Sequence, residues 1–321
     1  MSATADLSII IVNWNTRDLL AGCLASIDRT VRAPGSLSIE VIVVDNASGD
    51  DSVAMVQAQF SWARLLNNSE NVGFAAANNR ALREACGGVM CLLNPDTVAQ
   101  PGGILQLWEI VRAHPSIGIA GAQLLNADGS HQLSVGVFPS LWSELPMANR
   151  LLRTVHRAFT VHTAAGETIV HSVDWVSGAA LMVRRDVIDA IGLLDETFWL
   201  YTEETDWCYR AHRAGWDVVL APDAHVFHLA RAASRQRFVT TMLHFYQSRV
   251  RFVYKHHGMY QATLIRSLLR LKAAIWRRNP EVSPLRSAYT DLPTGQITAA
   301  YQQLEEELAA PLSVFLAATW R

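Results

Sequence analysis

LSIIIVNW (Leu7–Trp14), EVIVVDNAS (Glu40–Ser48) and VMCLLNPDT (Val89–Thr97) decide the fold. Each is an unbroken apolar run, the pattern of a strand covered on both faces, and each stops abruptly in a group of Asn, Asp, Ser or Thr. Helical spacing fills the intervals: TRDLLAGCLASIDRT behind Thr16, then SVAMVQAQF, and FAAANNRALREAC (Phe74–Cys86) after a short strand, WARLLNN. Such alternation predicts an α/β fold, a mainly parallel sheet flanked by helices, with ligands held outside the carboxyl ends of the strands.

Further along, a helix is expected from Gly102 to Ala113 and a strand at IGIAGAQLL. The segment Asn126–Val170 is poor in pattern and reads as a hairpin plus a mobile loop. VDWVSGAALMVRR (Val173–Arg185) returns to strand character, RDVIDAIGLLDE is a short helix, TEETDWCYRAHRAG (Thr202–Gly215) a helix with a Gly stop, and WDVVLAP a last strand. From Thr240 the chain reads as helical, with Pro280, Pro284 and Pro293 marking a linker before a final helix at Gly295–Ala309.

The 321 residues are 50% hydrophobic and 17% charged, which suits a large buried core and excludes a disordered or fibrous chain. No run of about 18 apolar residues occurs and the first residues lack a signal-peptide pattern, so a cytoplasmic protein is expected. Cys23, Cys86, Cys91 and Cys208 form no CxxC pair and are expected as reduced, mostly buried thiols. The net charge of −2 hides an asymmetry: Met1–Asp223 carries 24 acidic and 14 basic residues, Ala224–Pro280 carries 11 basic and none acidic. Within it, Leu264, Leu268, Leu271 and Ile275 recur at helical spacing while Arg266, Arg270 and Arg277 follow another line. Such a helix suits an anionic bilayer surface, the body of the chain or a second subunit. Without a recognised nucleic-acid module, nucleic-acid binding is not expected.

Four clusters hold chemistry. Asp45, Asn46 and Ser48 end the second strand, where an Asp either accepts the imide hydrogen of a pyrimidine or builds an Asx turn. Asn71–Asn79 places Gly and small residues at a helix start, fit for phosphate or for plain capping. NPDT (Asn94–Thr97) offers Asp96 as an oxygen ligand for Mg²⁺ or Mn²⁺, or a turn. In EETDWCYR (Glu203–Arg210), Glu203 and Asp206 share a helix face, as do Asp206 and Arg210, while Glu204 points elsewhere; one acid suits a general base and Asp206 with Arg210 suits an anchor. His225 and His228 follow, on opposite faces of an extended segment.

In this order, IIIVNWNTRDLLAGCLASI, VIVVDNAS, NNSENVGFAAANNRAL, LLNPDT, VDWVSGAALMVRRDV, GLLDETFWLYTEETDWCYRAHRAGW and the His pair resemble the family 2 inverting glycosyltransferases of the GT-A fold, particularly the bacterial rhamnosyltransferase-like branch. The resemblance covers about Leu7 to His228. It implies a GT-A type Rossmann-like catalytic domain over residues 1–230, with a nucleotide-sugar half to about residue 100 and an acceptor half beyond, and a helical basic extension over 231–321. It further implies that Asn13, Trp14, Asn15, Asp45 and Asn46 surround the nucleotide base; that Phe74, Asn78 and Asn79 line ribose and diphosphate; that Asn94 and Asp96 stand at the DxD-type motif, with Asp96 and His228 on Mg²⁺ or Mn²⁺; and that Trp175 and Gly178 shape the sugar pocket. Glu204 stands at the base position, as glutamate where the family usually has aspartate, and Ala77 stands where many relatives have Gly. The implied reaction moves a sugar, rhamnose in that branch, from dTDP-rhamnose or a UDP-sugar to a glycan or lipid-linked acceptor in cell-surface polysaccharide synthesis, with peripheral contact at the inner membrane face and a homodimer as further expectations. A sugar nucleotidyltransferase is the alternative, but VNWNTRD lacks a glycine-rich basic loop; a non-catalytic nucleotide-sugar binder is the other.

Overall fold

The computed structural model describes residues 4–32, 37–144, 157–164, 166–229, 238–288 and 291–318. Its described residues cluster into two compact units, Met1–Phe138 with Leu151–Gln236, and Pro139–Arg150 with Arg237–Arg321.

The first unit alternates as expected: β1 (Ala5–Asn13), α1 (Arg17–Ile27), β2 (Ile39–Asp45), α2 (Ser52–Gln59), β3 (Arg64–Asn67), α3 (Phe74–Glu84), β4 (Gly87–Leu93), β5 (Thr97–Ala99), α4 (Gly103–Ala113) and β6 (Ile117–Leu125). There follow β7 (Val135–Gly136), the hairpin β8 (Ala158–Thr163) and β9 (Gly166–Ser172), β10 (Trp175–Val176), β11 (Ala180–Arg184), α5 (Arg185–Ile191), α6 (Glu203–Arg213) and β12 (Asp217–His228). The ten-stranded sheet runs β3-β2-β1-β4-β11-β6-β12-β9-β8, with β5 on β12. Pairing is parallel through β3-β2-β1-β4 and between β6 and β12, while β11 is antiparallel to both β4 and β6. The unbroken apolar runs explain this: Ile9 and Ile11 enter one core with Val41, Val43 and Cys91, while Ile10 and Val12 enter the other with Ile42, Val44 and Leu92.

Three elements differ from the sequence expectation. Val173–Arg185 is two strands, not one, because Ser177–Ala179 leave the ladder between β10 and β11. The last strand extends to His228, past a register shift between Ala221 and His225. The described part of Asn126–Val170 contains the expected hairpin, while residues 145–156 lie outside the described residues. Cys23, Cys91 and Cys208 are buried, Cys86 is exposed, and none forms a disulfide.

In the second unit, α7 (Phe238–Arg278) breaks at Gly258, where φ 86 and ψ 173 are non-helical. It is followed by α8 (Pro284–Ala288), α9 (Thr294–Glu307) and α10 (Leu312–Ala317). Buried Ala262, Ile265, Leu269 and Ala273 of α7 follow helical spacing, and α9 supplies buried Ile297, Ala300, Tyr301 and Leu304. Arg249 and Lys272 both pair with the buried Glu144 carboxylate. Burial pushes that carboxyl up, but the two cations outweigh it and hold it below its ordinary value. Among the described residues no helix is long and apolar enough to cross a membrane.

Candidate active site

The carboxyl ends of β1 and β2 meet through side chains. Asn13 donates to Asp45 Oδ1 (3.1 Å) and Ser48 Oγ (3.0 Å) and accepts from Thr16 Oγ1 (2.7 Å). The other oxygen of Asp45 accepts Ser48 N at 2.9 Å. Trp14 and Asn15 form the half-buried turn after β1; Asn15, at φ 52, donates its backbone N–H to Ser48 Oγ and accepts Gly49 N on its side chain. Asn46 binds the loop that leads into α3, donating to Asn71 Oδ1 and the Gly73 carbonyl and accepting from Asn68 Nδ2 and Val72 N. That loop closes tightly: Gly73 has φ +87, and a Cβ there would lie 2.6 Å from the Trp199 carbonyl oxygen. Phe74, half-buried, then donates its backbone N–H to the same carbonyl.

Asn78 and Asn79 are buried on α3. Asn78 donates to the Phe74 carbonyl one turn back. Asn79 donates to Leu194 O (2.8 Å) and Glu196 Oε1 (2.9 Å) and accepts from Leu194 N (3.0 Å). Asn79 and Arg83 together hold the Glu196 carboxyl below its ordinary value. Both amides therefore fasten the fold around the site.

The second half of the site has a different character. Asp96 and His228, far apart in sequence, are brought together because β5 pairs antiparallel with the end of β12, His228 opposite Thr97. His228 Nε2 lies 3.1 Å from Asp96 Oδ1. His228 Nδ1 lies 2.6 Å from Gln132 Oε1, and Asn94 Nδ2 sits 3.5 Å from His228 Nε2. The Asn94 side-chain oxygen is buried with no hydrogen-bond partner. A carboxylate oxygen, an imidazole nitrogen and an orphaned amide oxygen form a mixed O/N donor set that fits a divalent cation completed by water or phosphate oxygens. Among the described residues no group of three or more His, Cys, Asp and Glu forms such a site by itself. His225, opposite Gln123 in the ladder, is half-buried.

Glu203 and Glu204 open α6 behind Thr202, which takes φ 70. One oxygen of each carboxyl is buried without a hydrogen-bond partner. Burial first, and then the neighbouring Glu204 charge, push the Glu203 carboxyl well above its ordinary value. Burial raises Glu204 to about 7, against the opposing pull of backbone N–H groups in the same turn. Asp206 on the next turn is wholly buried and pairs with Arg210 Nε at 2.8 Å, and Arg210 also donates to the Ile191 and Leu193 carbonyls. This is the anchor that the i, i+4 spacing predicts.

Two residues lie between Asn94 and the acidic turn. Ala179 O accepts the backbone N–H of Asn94 at 2.9 Å, and a Cβ on the preceding Gly178 would stand 3.5 Å from Glu204 Cβ. The Asn94–Thr97 segment and the acidic turn thus border one short stretch between β10 and β11. Trp175 of β10 donates its indole N–H to the Val137 carbonyl and packs against Gly136, where any Cβ would come within 2.3 Å of its ring. Gln132, Ala179 and Glu196 are the participants that sequence reasoning missed. Gln132 and Glu196 act through partners about 100 residues distant, so no local spacing marks them.

Comparison with known proteins agrees with this architecture. The model of Glycosyl transferase family 2 matches residues 8–175. An N-acetylglucosaminyl-diphospho-decaprenol L-rhamnosyltransferase of Mycobacterium tuberculosis is 26% identical over 300 residues, covering 85% of this chain and 93% of its own. The rhamnosyltransferase WbbL of Escherichia coli K12 is 26% identical over 211 residues, covering 62% of this chain and 76% of its own. The crystal structure of GalNAc-T7 with UDP, GalNAc and Mn²⁺ superimposes with a TM-score of 0.59 at 16% identity, over 97% of this chain and 56% of the other; at that identity the likeness is one of fold. With a match over more than half its length and the GT-A sheet that carries it, the chain belongs to glycosyl transferase family 2.

Proposed function

We propose that the chain is an inverting rhamnosyltransferase of cell-surface polysaccharide synthesis, taking its sugar from dTDP-rhamnose, with Glu204 as general base and Asp96 and His228 holding Mg²⁺ or Mn²⁺. The observation that carries the reading is the set of orphaned buried oxygens on Asn94, Glu203 and Glu204, with the Asn94 backbone bonded to Ala179 and Glu204 beside Gly178. Buried polar atoms are ordinarily paired, so such a group is held for something that arrives. The names of the mycobacterial and E. coli relatives support the sugar and the lipid-linked or glycan acceptor.

In this mechanism the Glu204 carboxylate takes the proton of an acceptor hydroxyl as its oxygen bonds to the anomeric carbon, and the bond from that carbon to the diphosphate breaks with its electron pair leaving on phosphate. A carboxylate titrating near 7 is well matched to that task at neutral pH. Burial, and then the Glu204 charge, shift Glu203 toward its neutral form, which spares the turn a second negative charge. The divalent cation, when bound, supplies positive charge against the growing charge of the diphosphate. No covalent sugar–enzyme bond is needed, so the anomeric configuration inverts. Asn13, Asn46 and Asn79 hold the walls, while Trp14, Asn15, Asp45 and Phe74 meet the nucleotide and Trp175 with Gly178 bounds the sugar.

The second unit supplies the membrane contact that a lipid-linked acceptor asks for. Tyr260, Leu264, Leu271 and Ile275 are 77%, 36%, 58% and 46% exposed, while a separate stripe on the same helix is buried. Arg266 donates to the Ala310 carbonyl and Arg277 pairs with Glu305, which leaves Arg270 and Arg278 exposed on α7. Apolar side chains with flanking Arg suit the headgroup zone of an anionic bilayer.

The test is a panel of nucleotide sugars with Mg²⁺ or Mn²⁺, scored by released nucleoside diphosphate, with product configuration read by NMR. Release from dTDP-rhamnose with inverted product is expected; a retained configuration, or turnover of another donor alone, overturns the reading. Flotation with phosphatidylglycerol vesicles should fall more than tenfold in a Leu271→Glu/Ile275→Glu chain, and unchanged flotation overturns the membrane contact.

A further inference from the structure

His228 has two ring nitrogens, and which of them carries hydrogen decides whether it can face a cation at all. Its surroundings answer this through a one-way chain of hydrogen bonds. Asp128, an acceptor only when ionised, receives the Ser130 hydroxyl at 2.6 Å, and Ser130 hydrogen-bonding first of all holds that carboxyl below its ordinary value. Ser130 Oγ, its hydrogen thus committed, accepts Asn126 Nδ2 at 3.0 Å. Asn126 therefore turns its oxygen toward Gln132, whose Nε2 donates to it at 2.9 Å and also reaches the His228 carbonyl at 3.4 Å. Both bonds fix the Gln132 amide with its oxygen toward His228 Nδ1, 2.6 Å away. An amide oxygen accepts and never donates, so Nδ1 carries the hydrogen. Nε2 faces Asp96 Oδ1, 3.1 Å distant, so that side of the ring closes on positive charge, a proton in the empty site or a metal ion in the filled one. In the neutral ring two acceptors then face each other across a gap that calls for a cation.

The backbone makes this arrangement rigid. Gln132 N donates to Leu124 O at 2.8 Å, and the Gln132 carbonyl accepts both Gln123 Nε2 and Ser134 Oγ. The turn Asn126–Ser130 folds back on the end of β6, whose residue Leu125 lies opposite Phe227 in β12. The segment NADGSHQ (Asn126–Gln132) is thus a scaffold that turns the Gln132 side-chain oxygen toward the His228 ring.

We propose that Gln132 is a positioning residue that holds His228 as its Nδ1–H tautomer, oriented in turn by Asn126, Ser130 and Asp128, so that Nε2 is preset to accept a divalent cation beside Asp96. The cation itself rests on the proposed function; the tautomer does not. An outer partner of this kind typically changes metal affinity by 10- to 100-fold.

Two measurements separate these layers. Two-bond ¹H–¹⁵N NMR of the full, metal-free chain at about pH 8, with the His228 signals assigned by difference from His228→Asn, reads the tautomer directly. The Nδ1–H pattern is expected in the parent chain and in Gln132→Glu, which keeps an acceptor, and its loss is expected in Gln132→Leu. An Nε2–H pattern in the parent, or an unchanged pattern in Gln132→Leu, overturns the proposal. Mn²⁺ titration followed by electron paramagnetic resonance in the presence of dTDP should show 10- to 100-fold weaker binding for Gln132→Leu and near-parent binding for Gln132→Glu. If the parent binds no Mn²⁺ while the NMR pattern holds, the metal reading fails and the tautomer assignment stands. Equal Mn²⁺ affinity of parent and Gln132→Leu overturns the positioning role. Thermal unfolding of both variants shows whether either effect is merely a loss of fold.

Discussion

The two halves of the site treat buried polarity in opposite ways. Where β1 and β2 end, Asn13, Asp45 and Asn46 have partners on both sides of their side-chain groups, as does Asn79 on α3. Where β4 ends and α6 begins, Asn94, Glu203 and Glu204 each keep a buried oxygen without one. A satisfied network fastens loops and adds stability; an unsatisfied one costs stability and is maintained by the rest of the fold. The difference separates residues that build the walls from residues that do chemistry within them, and it can be broken by mutation.

The largest effect is expected at Glu204. Glu204→Gln removes the proton acceptor and should lower transfer by about 10² to 10⁴ while dTDP binding persists. The same change should stabilise the fold above neutrality. Because burial raises the Glu204 carboxyl from 4.5 to about 7, the native state holds a proton that the unfolded chain releases, and stability falls as pH rises across that window. Gln carries no such penalty, so at pH 8 the variant should be more stable by about 3 kcal/mol, with the advantage gone near pH 4. Urea unfolding at the two pH values checks this; a destabilised variant at pH 8 would place Glu204 among the wall residues. The parent transfer rate should rise with pH through an apparent midpoint near 7.

Asp206, on the same helix, should behave in the contrary manner. Asp206→Ala leaves the Arg210 guanidinium beside the Ile191 and Leu193 carbonyls without its carboxylate, at a cost of about 3 kcal/mol. A loss below about 1 kcal/mol in chemical denaturation would show that the pair is not the anchor of α6.

Much of this division was open to a reader of residues alone, and the boundary has a physical cause. Strands with both faces covered and helices at 3.6 spacing leave local marks, so β1, β2, β4 and α6 stand where the apolar runs and caps put them. The acidic turn and the Asp206–Arg210 pair also lie within one helix and are equally local. The role of Asn79 is not, since its partner Leu194 is 115 residues away and nothing near position 79 announces it. The same holds for α7, where the apolar spacing includes the exposed Leu264, Leu271 and Ile275, while the buried side belongs to Ala262, Ile265, Leu269 and Ala273. A helix with two apolar stripes does not say which one its partner will cover.

Asn79→Ala sharpens the contrast from the wall side. It deletes the bonds to Leu194 and Glu196 and leaves the Leu194 N–H and carbonyl to find other partners, for a loss of about 1–3 kcal/mol. The KM for dTDP-rhamnose should stay within about threefold of the parent value. A tenfold rise with little loss of stability would move Asn79 from the wall to the ligand.

The smallest effect tests the stretch that joins the end of β4 to the start of α6. Gly178 has no left-handed backbone angle, and a methyl group there would meet Glu204 Cβ at 3.5 Å, an ordinary contact. Gly178→Ala should therefore leave stability within about 0.5 kcal/mol. The added methyl does, however, bring apolar volume beside a carboxyl whose titration is already governed by burial, and further desolvation favours the protonated form. The midpoint of the pH–rate profile should move upward by a few tenths of a pH unit. A downward shift would mean that a nearby charge, and not burial, sets the basicity of Glu204, and the case for it as an unpartnered base held ready by the fold would fall with it.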